Sequence, residues 1–464
     1  MRVGPPGPAR ILSRSALAAA LVLALLPAPA LAQAPFFHSY AAQELSNQDD
    51  SAIADFYRAR DGRPLWLARS LVEGPASQLL AMLDRADLDG LDPDKYRSLS
   101  LKRALSDAEG GSPRAIAQAD FELSRAFTAY VRDLRSSGSS GTVFIDQELK
   151  PAVPDVRKLL EAAAAAPSLG GYLTNMSWMH PIYSQIRRAY ANDQLDFGRD
   201  QLDQMVRINL ERARALPVDF GQRYIVVDAA AARLYMYEHG RIQDTMKIVV
   251  GKPSSPTPMM AALMRHAILN PYWNVPSDLA AERIAPSAVS EGMPYITAKR
   301  YQVLSDWSDH PNIVDPATID WQAVKDGKLP DIRVRQLPGP DNAMGKVKFE
   351  FPNPQGIYLH DTNDPKLFDE AARLFSGGCV RLEDAQRLAK WLYGRPLIAE
   401  SQAPEQKIPL ATPVPLYITY LTVGAENGRL AYRRDVYNRD AARLAELPSA
   451  IDPEVSGSAA LYPR

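Results

Sequence analysis

The sequence predicts an α+β protein, with an all-helical N-terminal half, a mostly β second half and a long insertion inside the β part. Three observations carry this. Apolar residues recur at helical spacing from Ala52 to about Tyr190. At Pro217 the period changes from 3.6 towards 2. Strand-like runs stop over residues 277–345, which are polar and irregular, and resume at Lys346. So long an irregular stretch inside a β domain is more often functional than idle.

The first segment in chain order is a targeting signal. Arg2, Arg10 and Arg14 form a positive region, Ser15–Leu26 is an apolar run of twelve residues, and Ala30-Leu31-Ala32 is a small-x-small cleavage site. The run is short of the roughly 20 residues that span a bilayer. No cysteine follows the site and the arginines are unpaired, so a general secretion signal over 1–32 is expected, with no stable membrane span after cleavage. An uncleaved anchor is the alternative. Removing 1–32 takes away three arginines and no acid, which moves the net charge from −1 to −4. With 46% apolar and 23% charged residues the chain has the composition of a globular protein. No dense Lys/Arg run is present, which argues against nucleic acid as a partner.

Residues 33–50 read as a loose segment and 51–216 as a helical scaffold. Ile53, Phe56 and Tyr57 start an i, i+3, i+4 stripe, and Leu79, Leu80, Met82 and Leu83 continue one. Asp89-Gly90-Leu91-Asp92-Pro93 is a turn leading to a helix start. Phe121–Leu134 is amphipathic helix, Ser136–Gly141 has linker composition, and Val156–Ala166, Ile182–Tyr190 and Leu202–Ala215 are further helices. No motif of chemical character lies in this half.

Residues 217–447 read as the β domain. Tyr224–Asp228, Arg233–Glu238 and Thr245–Val250 are strand runs, with His239-Gly240 as a turn. Gly251–Pro258 is a proline-rich loop and His266–Leu269 another strand. Beyond the insertion, Lys346–Phe351 and Ile357–His360 are strands, and Asp384–Tyr393 is a helix closed by Gly394. Leu416–Val423 and Leu430–Arg433 suggest a late hairpin, and 448–464 a flexible tail.

The chemistry concentrates in Tyr358–Asp384, YLHDTNDPKLFDEAARLFSGGCVRLED. This stretch holds Cys379, the only cysteine, and His360, one of six histidines. Nineteen positions apart, they fit a strand end, a crossover helix and a tight glycine turn rather than a metal pair on one helix. A lone cysteine in an exported chain builds no internal disulfide, so it is a buried hydrophobe or a reactive thiol. Ser376-Gly377-Gly378 ahead of it favours the second, because two glycines let backbone N–H groups approach a developing anion. His360 ends an apolar strand run, where a general base can be held firmly. Arg381 shares the side of Cys379 if the chain is extended there, and suits a substrate carboxylate. Taken singly, each has a plainer reading: a core histidine, an ordinary turn, a surface ion pair. Their meeting round the one thiol raises the functional reading.

The pattern His360-x-Thr362 … Ser376-x-Gly378-Cys379-Val380-Arg381 resembles the YkuD-type L,D-transpeptidase family. Arg223-Tyr224-Ile225, Arg233-Leu234-Tyr235, Tyr237-Glu238, Val250-Gly251-Lys252-Pro253, Asn274-Val275-Pro276, Tyr358–Thr362 and Asp435-Val436-Tyr437 extend the likeness to its YcbB-like subgroup. Phe56-Tyr57 with Pro64-Leu65-Trp66, and Asp89-Gly90-Leu91 with Tyr96, resemble that subgroup's helical scaffold more weakly.

The resemblance implies a sandwich-like catalytic domain with a Cys/His pair in a groove. It implies no metal and no organic cofactor. The partners it implies are peptidoglycan tetrapeptide stems, as donor and acceptor, in the periplasm. Cys379 would be the nucleophile, His360 the proton acceptor and donor, Asp361 the residue that orients His360, chiefly through its backbone carbonyl, and the Gly378 and Cys379 amides the oxyanion donors. Arg381, Ser376, Gly377 and Tyr358 would contact substrate. The reaction would pass through a thioester, give 3→3 cross-links and be open to carbapenems. Many family members carry histidine directly before the Gly-Cys pair, where this chain has Gly377, so His360 is the only base in the motif. Only 26 residues separate Tyr190 from Pro217, so the subgroup's peptidoglycan-binding module is expected to be absent. Wall engagement then falls to the groove, a partner in wall synthesis, or the 277–345 insertion, expected to cap the groove with Trp307 or Trp321 in its small core. The alternatives are an L,D-carboxypeptidase or other hydrolase using the same thioester, and a non-catalytic wall-binding scaffold.

Overall fold

The computed structural model describes Met1 and residues 48–67, 74–136, 140–193, 200–218, 223–308, 310–329 and 331–446. The expected signal peptide from Arg2, the loose segment as far as residue 47, residues 137–139 of the linker and the expected tail lie outside the described residues.

The 24-residue helix Pro113–Ser136 is the axis of the first half. Phe121, Leu123, Phe127, Tyr130, Val131 and Leu134 are all buried, a pattern that fits only the middle of a bundle. Gln48–Ala59, Pro75–Asp84, Leu99–Ala108 and Val156–Ala165 pack against it. Two buried carboxylates pin the connections. Asp120 accepts from the Tyr57 hydroxyl and from the N–H groups of Leu65, Trp66 and Leu67, the amides at 2.7–2.8 Å. Asp89 accepts from the hydroxyls of Tyr130 and Tyr183 and from Nε of Arg187. Charge-assisted bonds of this kind offset the desolvation of a buried carboxylate. They are the physical reason why Tyr57, Leu65-Trp66 and Asp89 stand out in the sequence.

The second half is organised by a ten-stranded sheet that closes on itself. Gln406–Thr419 pairs parallel with Arg223–Asp228 on one side and antiparallel with Met260–Leu269 on the other. Between these partners the path runs through Val347–Glu350, Leu359–His360, Val380–Leu382, Arg241–Gly251 and Arg233–Glu238. Closure removes the edges that would otherwise invite pairing with other chains. Leu234, Met236, Ile248, Val250, Phe349, Leu359, Val380, Leu416 and Ile418 fill the inside, joined by Leu388, Ala389 and Leu392 of the Ala385–Tyr393 helix.

Three expectations are corrected. No crossover α-helix joins His360 to Cys379: the link holds a 3₁₀ turn, Pro365–Asp369, and a short strand, Leu374–Ser376. Leu416–Thr419 is the end of the long strand, and the late hairpin is Val423–Glu426 with Arg429–Tyr432. The insertion is regular rather than irregular. Helices Ser277–Leu279, Ala285–Glu291 and Met293–Ala298, a π-helical turn Ala280–Ile284, and helix Trp321–Lys325 pack on a four-stranded sheet that includes Trp273–Val275 and Val334–Gln336. Its strands are two to four residues long, too short for a period to show. Trp321 is buried in its core with Ile284, Ile296 and Val334, whereas Trp307 is half exposed.

The late hairpin leaves the sheet and packs on the Pro181–Asp193 helix, with Val423 in the helical core. Asn209 Nδ2 donates to Thr422 Oγ1 at 2.8 Å, and Arg212 pairs with Asp440 in the same buried seam. Among the described residues no helix is long and apolar enough to cross a membrane.

Candidate active site

Strand alternation builds the site. Leu359, Val380, Leu382, Val347 and Phe349 point into the core, so Lys348, His360 and Arg381 face the other way. In register, Lys348 lies opposite His360, and His360 opposite Arg381. Laterally paired residues project from one face, so three basic side chains form a row. All three line a cavity of about 130 Å³ with Cys379, Tyr358, Ser376 and Gly377. Tyr272, Pro276, Leu279, Arg283 and Met344 complete its walls, several of them from the insertion.

The turn before Cys379 is held by hydroxyls. Ser376 Oγ accepts from the Gly378 N–H at 3.1 Å and donates to the Cys379 carbonyl at 2.5 Å. Thr257 Oγ1 accepts from the Gly251 N–H at 2.9 Å and donates to the Gly378 carbonyl at 2.8 Å. Gly378 has φ +116°, a conformation that side chains resist. At Gly251 a Cβ would lie 2.1 Å from the Ser255 carbonyl oxygen, so only glycine fits that turn. These bonds involve two of the residues expected at the site. The Gly378 amide, expected as an oxyanion donor, donates to Ser376 Oγ within this turn. The Ser376 hydroxyl, expected to contact substrate, is engaged within the same turn. At Gly377 a Cβ would lie 2.7 Å from Leu279 Cδ1, so the insertion occupies the space a side chain at 377 would need.

Cys379 is half-buried. Burial pushes its thiol above the ordinary range, while a Tyr358 N–H, Arg381 and Lys348 pull the other way. Its Sγ lies 3.6 Å from the Gly356 carbonyl. His360 is 4% exposed, and burial, then the Arg381 charge, pushes its pKa down to about 3. Its Nδ1 lies 2.6 Å from the Asp361 carbonyl, and the Met344 carbonyl also faces the ring. A carbonyl only accepts, so the proton sits on Nδ1 and Nε2 carries the lone pair. The Asp361 carboxylate is elsewhere, accepting from the Lys346 N–H at 2.9 Å. At neutral pH the resting pair is thus a thiol and a neutral imidazole.

The cations differ from one another. Lys348 is buried but balanced: Glu350 lies 3.0 Å and Glu405 3.6 Å from its Nζ, and they hold its pKa above normal against burial. It also stands 5.3 Å from the centre of the Tyr358 ring. Arg381 has no ion pair among the described residues, and its Nε is buried without a hydrogen-bond partner. Lys348, Arg283 and Leu279 were not picked out from sequence. Lys348 could have been, because it alternates with Val347 and Phe349 on a strand expected beside His360. A second cavity of about 940 Å³, lined by Arg300, Lys346, Asp361 and Pro338 among others, lies beyond Asp361 and includes neither Cys379 nor His360. Among the described residues no group of three His, Cys, Asp or Glu side chains could hold a metal ion.

Residues 222–416 match the model of the L,D-transpeptidase catalytic domain (YkuD), and residues 51–189 the model of a scaffold domain. A Haemophilus influenzae protein named "Putative L,D-transpeptidase" is 28% identical over 397 residues, which cover 84% of this chain and 78% of that one. Two solved chains are more distant. An L,D-transpeptidase from Mycobacterium smegmatis is 16% identical, covers 43% of this chain and 58% of its own, and has a TM-score of 0.22. A structure titled "Structure of the Ldtfm-avibactam carbamoyl enzyme" is 14% identical, covers 44% and 51%, and has a TM-score of 0.20. This chain therefore spans little more than half of either solved chain. The chain thus carries a YkuD-type L,D-transpeptidase catalytic domain over residues 222–416, behind a scaffold domain over residues 51–189.

Proposed function

We propose that this protein is a periplasmic L,D-transpeptidase that forms 3→3 cross-links between peptidoglycan tetrapeptide stems through a thioester on Cys379. The observation that carries this is one cavity holding the only thiol, a neutral imidazole with its proton fixed on Nδ1, and an arginine without an acid.

Cys379 Sγ attacks the carbonyl of the third, meso-diaminopimelyl residue while His360 Nε2 takes the thiol proton. The Cys379 amide, which has no protein partner among the described residues, and the Gly378 amide are the donors for the oxyanion, each worth about 3–4 kcal/mol. The imidazolium then protonates the leaving D-Ala amine and the thioester forms. In the second half His360 takes a proton from the acceptor amine, that amine attacks the thioester, and the thiol recovers its proton. Arg381 meets a substrate carboxylate, and Tyr358 and Gly377 line the groove. Asp361 orients the base through its carbonyl.

The cavity, about 130 Å³, is smaller than the roughly 300 Å³ at which ligand pockets begin, and in this reading the 277–345 insertion moves to admit a stem. In this reading the insertion is a cap on a catalytic domain of 217–447. The scaffold is 51–216, behind a signal peptide over 1–32 and a loose segment over 33–50, with a tail over 448–464. Mass spectrometry of muropeptides after incubation with purified sacculi tests the reaction. New 3→3 dimers are expected; tripeptides alone would assign the thioester to hydrolysis instead.

A further inference from the structure

Two arginines face the thiol cavity, and among the described residues neither is ion-paired with a carboxylate. Arg381 comes from the sheet beside Cys379. Arg283 comes from the opposite wall, on the π-helical turn Ala280–Ile284 of the insertion. Such turns recur at functional sites. The Arg283 guanidinium donates one hydrogen bond, from Nη2 to the Phe375 carbonyl at 3.1 Å. The adjacent acid does not neutralise it, because the Glu282 carboxylate is paired with Lys252. Asp364 acts on Arg381 only from beyond ion-pair distance.

The seat of this turn is specific. Leu279, four residues before Arg283, lies over Gly377, where its Cδ1 takes the space of a missing Cβ. Residues four apart share a helix face, so seating Leu279 on the glycine turn brings Arg283 to the same cavity. The Arg283 charge is felt by Arg381: after burial, it is the next influence that lowers the Arg381 pKa. Two like charges around one cavity destabilise its empty state, and an anion between them reverses the sign. Lys348 shows the contrast, since two glutamates already balance it.

We propose that Arg283 is a specificity-determining residue that, with Arg381, receives a carboxylate of the donor stem inside the thiol cavity. This rests on the donor assignment above. A tetrapeptide stem has two carboxylates close to the scissile amide, on the terminal D-Ala and on the side chain of the diaminopimelyl residue. Both offer the same planar, bidentate acceptor to a guanidinium.

The test is calorimetric binding of the free tetrapeptide to the full chain carrying Cys379→Ala, which holds a donor without turning it over. Adding Arg283→Gln should weaken binding at least about tenfold, and Arg283→Lys should restore part of the loss. Two modified stems separate the sources, one with a D-Ala amide and one with the diaminopimelyl side chain amidated. With Arg283 present, both amidations weaken binding. With Arg283→Gln, the penalty vanishes for the carboxylate that Arg283 meets and persists for the other, a coupling that general damage to the fold would not produce. Arg283→Gln binding within twofold of its parent, or unchanged penalties for both modified stems, would overturn the proposal and leave the donor assignment standing. Failure of the parent protein to bind any of the three stems would overturn the donor assignment and this proposal with it.

Discussion

His180 and His360 are both buried, and burial drives both pKa values down to about 3. Only one of them has chemistry to offer. His180 sits where the helical half meets the sheet, its ring against Tyr224 and Tyr237. The Ile182 N–H donates to its Nδ1 at 3.1 Å, so its proton is on Nε2, which donates to the Tyr224 hydroxyl at 3.0 Å. Both ring nitrogens are committed to protein. His360 commits Nδ1 to a carbonyl and stands in the wall of the thiol cavity. A depressed pKa reports burial in both cases. What separates them is that His360, unlike His180, lines the cavity that holds the thiol.

The sharpest break of this comparison begins with the thiol. Cys379→Ala should lower transfer by roughly 10⁴-fold or more, read as loss of 3→3 dimers, with the protein still folded by circular dichroism. A variant that kept full activity would remove Cys379 from the mechanism. Next come the histidines themselves. His360→Gln should lower kcat by roughly 10²–10⁴-fold. His180→Gln should leave kcat per folded molecule unchanged and lower stability by about 1–3 kcal/mol in urea titrations. A folded His180 variant with lost kcat would erase the distinction.

The pH dependence tests what the two share. Both folded pKa values lie below the ordinary histidine value, so between about pH 6.5 and pH 3 the unfolded chain binds more protons than the native one. Stability therefore falls as pH falls through this window, by about 1.4 kcal/mol per pH unit for each histidine. Each glutamine variant should flatten the slope by one histidine's share. An unchanged slope in His180→Gln would show that its burial does not set its protonation. The smallest effect belongs to Gly377→Ala, whose Cβ meets Leu279. We expect a destabilisation of about 1 kcal/mol, relieved by Leu279→Ala.

Much of the site was legible because it lies close together in sequence. His360 and Arg381 sit at strand positions whose alternation with Leu359, Val380 and Leu382 can be read directly, and Cys379 ends the glycine turn one residue before Val380. The helical half was legible by period, although Asp120 and Asp89, which pin its connections, carry no periodic signal. What stayed hidden depends on distant contacts. That the Gly378 amide donates to Ser376 depends on how the turn folds, not on its composition. The insertion looked irregular because its strands are shorter than one readable period. Arg283 had no signal at all, since only packing of Leu279 on Gly377 brings it to the thiol. Closure of the sheet was equally invisible, because Gln406–Thr419 finds partners more than 130 residues away.

The central claim is acyl transfer to a thiol activated by a neutral imidazole, and intact-protein mass spectrometry with a tetrapeptide donor tests it most directly. The account predicts one adduct on Cys379 with the mass of the stem less D-Ala, one D-Ala released per adduct, and a much slower adduct in His360→Gln. A folded protein that forms no adduct, or one that forms it equally well in Cys379→Ala, would contradict it.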